Sequence, residues 1–138
     1  MLILLASLSL TAVQTPSDPA FEAGRDIFDA AICSTLGWES DRNQAISVLV
    51  AVEAAHPDLT EDQIMSRATE GGAAARTVFE TGVTAAKADR ASLAAWGEAM
   101  TLRCDALAGL YPLMLRRGPE TEVRWAAQRA ALEQQITD

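Results

Sequence analysis

Apolar positions recur along most of this chain with the three-to-four-residue rhythm of a helix, and almost nowhere with the alternation of a half-buried strand. Phe21, Phe28, Ile32 and Leu36, joined by Ile27 and Ala31, form the first such stripe. Asp18-Pro19 supplies an N-cap side chain and a proline at the first helical position, and Gly37 supplies a stop, so a helix is expected over 19–36. Ser40-Asp41 opens a second helix that reaches Ala55. His56-Pro57 ends it, because proline disfavours helical geometry in the residue before it. The run Val48-Leu49-Val50-Ala51-Val52 is apolar on nearly every face, which predicts the most buried helix of the fold.

Thr60-Glu61-Asp62-Gln63 reads as a capping box, and Ile64, Met65 and Ala68 follow on one face. Gly71-Gly72 is expected to break or kink this helix, since each glycine costs about 1 kcal/mol relative to Ala inside a helix. A further piece is expected over 73–81, ending near Gly82. Leu93, Trp96, Met100, Cys104, Leu107 and Tyr111 give the most regular stripe, on a helix starting at Thr84 or Asp89 and ended by Pro112. Gly118-Pro119 restarts the chain, and a last helix over 119–136 carries Val123, Trp125, Leu132 and Ile136. The sum is an all-α chain, an irregular bundle of five or six helices in one domain.

The first twelve residues depart from this pattern. They are almost wholly apolar, and positions 2–10 have the length of a signal-peptide core. The run is too short to span a bilayer, which takes about 20 apolar residues. Small or neutral residues follow it, placing cleavage after Ala12 or Gln14. The expected organisation is therefore a leader over 1–14 and a helical domain over 15–138. No Lys or Arg precedes the run, which departs from the usual signal pattern, and no cysteine follows it to carry a lipid.

Export changes the meaning of the only two cysteines, Cys33 and Cys104. Both lie on inward faces of separate expected helices, and in an oxidising compartment such a pair reads as a disulfide. Closing a loop of this length stabilises by about 4 kcal/mol in the chain-entropy model. There is no C-x-x-C for redox catalysis and no C-x-x-C-H for covalent haem. The expected location is the periplasm or the extracellular space.

Composition narrows the partners. The formal net charge is −8, and no charged side chain lies in the first fifteen positions, so the mature chain carries all of it. Such a surface repels nucleic acid and anionic lipid headgroups and favours a basic protein partner. No stable membrane span is expected. About one residue in five is alanine, which favours helix and predicts a core of small side chains with helices in close approach.

No recognised catalytic, metal or cofactor constellation is present. His56, the only histidine, is followed by Asp58, Glu61 and Asp62, so a carboxylate–histidine hydrolase site can be drawn. A helix C-terminus accounts for His56 better, and a helix first turn accounts for the acids. There is no G-x-S-x-G. Glu70-Gly71-Gly72-Ala73 lacks the Lys-Ser/Thr of a phosphate loop and reads as a hinge. Glu22, Asp26 and Asp29, with Arg25 among them, read as a solvated charged face. Arg116-Arg117 reads as complementing a helix C-terminus.

Trp38, Trp96 and Trp125 are the heavy anchors of a small-residue core and the candidate contacts for a ligand or partner. Trp38, between two helices, is expected to be the most exposed of them. The expected function is a binding or protein-interaction module without catalysis or cofactor. The alternatives are a binder of a small apolar ligand between helices near Trp96, and the His56 hydrolase.

Overall fold

The computed structural model describes residues 18–136. The leader expected over 1–14 lies outside the described residues. The elements are α1 (Pro19–Leu36), β1 (Glu39–Ser40), α2 (Arg42–Ala55), α3 (Glu61–Ala86), α4 (Arg90–Leu110), β2 (Leu115–Arg116) and α5 (Thr121–Glu133). Among the described residues the fold is all-α, a single domain of five helices with one two-stranded ladder.

Local chemistry explains most boundaries. Asp18 accepts from the backbone N–H groups of Ala20 and Phe21 and starts α1. Gly37 ends it with φ at 136°, a left-handed geometry that glycine adopts without steric cost. Asp41 and Asp89 cap α2 and α4, and Thr60 and Gln63 form the reciprocal capping box of α3. A short ladder adds to the helical pattern. Glu39 and Ser40 pair antiparallel with Arg116 and Leu115, and an Arg116–Glu39 ion pair of 3.1 Å clips the link after α1 to the link after α4. Arg116 and Arg117 thus sit beyond the turn that follows α4 and pair with carboxylates, not with helix carbonyls.

The expected break at Gly71-Gly72 does not occur, and Gly82 does not end a helix, because α3 runs unbroken from Glu61 to Ala86. The glycines serve a crossing. A β-carbon on Gly24 of α1 would run into the Ala68 carbonyl, and one on Gly71 would run into the Phe21 carbonyl. Backbone-to-backbone contact of α1 and α3 at this point requires glycine on both helices. The energy of that contact offsets the propensity cost that the sequence suggested would dominate.

The core holds Ala30, Cys33, Leu36, Trp38, Cys104, Leu107, Met114, Leu115 and Trp125. The Cys33–Cys104 disulfide ties α1 to α4 at its centre, with the Cα atoms 5.7 Å apart. Such a bond is compatible with an extracellular or periplasmic protein. Trp38 and Trp125 meet edge-on at 6.1 Å, and Trp96 meets Trp125 at 5.9 Å, so the three rings form one row. Trp38, expected to be the most exposed, is fully buried, while Trp96 is half-buried. The Trp38 indole donates to Asp105, and the Arg117 guanidinium lies 5.4 Å over its ring. The Trp125 indole donates to the Thr101 hydroxyl at 2.8 Å.

A further expectation that the structure overturns concerns α2. It was expected to be the most buried helix, yet none of its residues is buried. Ala45 and Val48 touch the core, but Ile46 is 65% exposed. Only one side of α2 meets the body of the protein, and its apolar composition exceeds what that side can cover.

Candidate functional site

The side of α2 that carries half-buried Val48 and Val52 forms one wall of a groove of about 550 Å3, and the exposed Ile46 and Val50 lie outside it. Gln44, Ser47, Val48, Ala51, Val52 and Ala55 line it, a spacing that places them on one helical face. The first turns of α1 give the floor through Pro19, Glu22, Ala23 and Asp26. The opposite lip is Leu110–Met114, where Pro112 turns the chain away from α4, and Leu113 on that lip is 70% exposed. The volume falls in the range of ligand-binding clefts, about 300–1,000 Å3.

Beneath this floor lies a polar network that the sequence reading missed. Asp26 is only 7% exposed, so it does not belong to a solvated face. The Tyr111 hydroxyl donates to Asp26 Oδ2 at 2.8 Å, and Arg103 Nη2 donates to Asp26 Oδ1 at 2.8 Å. Arg103 Nε also donates to Asp29 Oδ2 at 2.9 Å. Both carboxylate oxygens of a buried acid are thereby satisfied, which its desolvation demands. Burial first, then the hydrogen bond to Asp26 and the Asp26 charge, push the Tyr111 phenol up to about 12. Burial alone would lower the Arg103 guanidinium, but its hydrogen bonds to Asp26 and Asp29 and their charges outweigh that and raise it.

The network is also a partition. Asp26 and Tyr111 line the groove on one side. Asp29 and Arg103 line a second cavity, of about 430 Å3, on the other. Phe21, Phe79, Trp96 and Met100 give that cavity its apolar walls, so Trp96 is the tryptophan that borders open space. Trp38 and Trp125 lie in the core and line neither space.

The remaining candidates separate. His56 is the C-cap of α2 and lies at the end of the groove. Among the described residues its ring has no hydrogen-bonded carboxylate. Asp58, Glu61 and Asp62 do not line the groove. Among the described residues no cluster of His, Cys, Asp and Glu has a metal-holding arrangement, and no helix is long and apolar enough to cross a membrane. The groove's ionisable side chains are Glu22, Asp26, His56 and Tyr111, and no Lys or Arg lines it.

The signal for the network was present but divided between distant segments. Asp26 stands two helical turns before Cys33, and Arg103 stands next to Cys104. The disulfide brings those two registers together. Comparison with protein-family models, with characterised proteins and with solved structures gives no match to this chain.

Proposed function

We propose that this protein is an exported, non-catalytic interaction module whose binding surface is the groove between α1, α2 and the Leu110–Met114 turn. The observation that carries the reading is the apolar groove that Val48, Ala51 and Val52 of α2 form with Leu110 and Leu113. A helix apolar on nearly all sides ordinarily sits inside a core. Here no residue of α2 is buried, and its groove side faces Leu110 and Leu113, 65% and 70% exposed; exposed apolar surface of this kind marks interaction sites. The apolar run at 2–10 and the Cys33–Cys104 disulfide support an oxidising location, the periplasm or the cell exterior. The absence of a hydrogen-bonded acid–base pair at His56 gives the hydrolase reading no support among the described residues.

The test is affinity capture from the native cell envelope with the wild-type chain and with Val52→Glu, which places a charge on the groove wall. The wild-type chain should retain a specific partner that Val52→Glu loses at unchanged melting temperature. Equal retention by both would remove the groove from the account.

A second reading is supported by the Trp96 cavity, which has the walls and volume for a small apolar ligand. Native mass spectrometry of the captured protein separates the two. A bound small molecule lost in Trp96→Ala but retained in Val52→Glu would favour the ligand binder.

A further inference from the structure

We propose that the occupant of the α2 groove is an amphipathic helix of a partner protein that presents a basic residue to Glu22. This rests on the interaction reading above and adds the chemistry of the partner. The groove face of α2 extends from Gln44 to Ala55, a length of about 16 Å at the helical rise of 1.5 Å per residue. That matches about three turns of a docked helix, the usual geometry for recognition of an amphipathic segment in an apolar groove.

Charge selects the sign of the occupant. Of the two carboxylates at the floor, Asp26 is already bonded by Arg103 and Tyr111. Glu22 is half-buried and, among the described residues, has no cationic partner. A carboxylate partly desolvated by an apolar occupant loses free energy unless that occupant supplies a cation. The net charge of −8 acts in the same direction at longer range, and it disfavours a second copy of this chain.

The test uses two labelled helical peptides of equal length and identical leucine face, one with lysines and one with glutamates on the polar face. Fluorescence anisotropy is measured with the full chain and with Glu22→Gln and Glu53→Gln. Glu53 is exposed on α2 and does not line the groove, so its substitution controls for net charge alone. The lysine peptide should bind at least about tenfold tighter than the glutamate peptide, a factor equal to 1.4 kcal/mol. Glu22→Gln should weaken it several-fold while Glu53→Gln leaves it unchanged, with amide shifts at Val48, Val52 and Leu113.

Equal binding of both peptides at those amides overturns the charge assignment and leaves the groove reading standing. Equal weakening by Glu22→Gln and Glu53→Gln overturns it in the same way. Binding by neither peptide, or shifts around Trp96 instead, overturns both. Contacts from Leu2–Leu10 to the groove, or a dimer abolished by Val52→Glu, would show a different occupant and overturn the proposal.

Discussion

Replacing Asp26 by Asn tests the network beneath the groove at nearly constant shape. The amide can still accept from Arg103 and offer its NH2 group to the Tyr111 oxygen, so both contacts survive as weaker, less charge-assisted bonds. A hydrogen bond to a charged group contributes about 1.5–3 kcal/mol and a neutral one about 0.5–1.5, so two such conversions cost about 2 kcal/mol. Arg103 keeps Asp29 as a partner, which avoids the larger penalty of an orphaned buried charge. For a domain of this size the melting temperature should fall by about 6–10 °C. Glu22→Gln, one turn away on the same helix but outside the network, should shift it far less.

The second readout of this substitution is spectroscopic. Tyr111 is the only tyrosine, so phenolate absorbance reports it alone. In the wild-type chain it should titrate near the raised value of about 12, and in Asp26→Asn it should move back toward 10. A stopped-flow pH jump reads the signal on the folded chain. The sign follows from linkage: a phenol raised in the folded state contributes stability that is complete below the unfolded value of about 10 and is lost as pH rises through the folded value. A wild-type midpoint at 10, or equal melting temperatures for Asp26→Asn and the parent, would refute the buried network.

Other substitutions probe the remaining supports. Reducing Cys33–Cys104, or replacing both cysteines by Ser, should cost about 4 kcal/mol in denaturant unfolding, from the loop it closes. Gly71→Ala should destabilise by more than about 1 kcal/mol, because its β-carbon meets the α1 backbone. Gly72→Ala, with room for that carbon, should be neutral or stabilising by up to about 1 kcal/mol. Trp125→Ala should cost about 3–5 kcal/mol and half-buried Trp96→Ala less, by the same unfolding assay. Hydrogen bonds from Arg117 hold the Asp105 carboxyl below its usual range, against burial and aided by the Trp38 indole. That contribution is present above the unfolded value of about 3.9 and is lost as pH falls through the depressed folded value, so Arg117→Ala should flatten the melting-temperature profile in this acid window.

The sequence carried the helices well where their ends are chemically marked. Asp18-Pro19 with Gly37 delimits α1 as read, and Thr60 with Gln63 starts α3 by the expected reciprocal cap. It misled where one residue type serves opposite purposes. Gly71 weakens a helix in isolation, but a crossing helix with its own glycine turns that weakness into a contact. The apolar run of α2 indicates burial only if something covers it, and periodicity cannot say what stands opposite. Asp26 looked solvated because its neighbours in sequence are charged. Its partners, Arg103 and Tyr111, lie 77 and 85 positions away, and only the fold joins them. The groove residues Val48 and Val52 therefore stood in the sequence only as members of an apolar run, with nothing to separate them from the exposed Ile46 and Val50.

The claim that binding occurs at the α2 groove is tested most directly by photo-cross-linking in the native host. A photoreactive side chain is placed at Leu113 on the groove lip, and in a separate chain at Val78, which borders the Trp96 cavity. A discrete adduct is expected from position 113 that Val52→Glu abolishes, and none from position 78. Adducts from position 78 alone, or none from position 113 in a folded, disulfide-bonded chain, would contradict it.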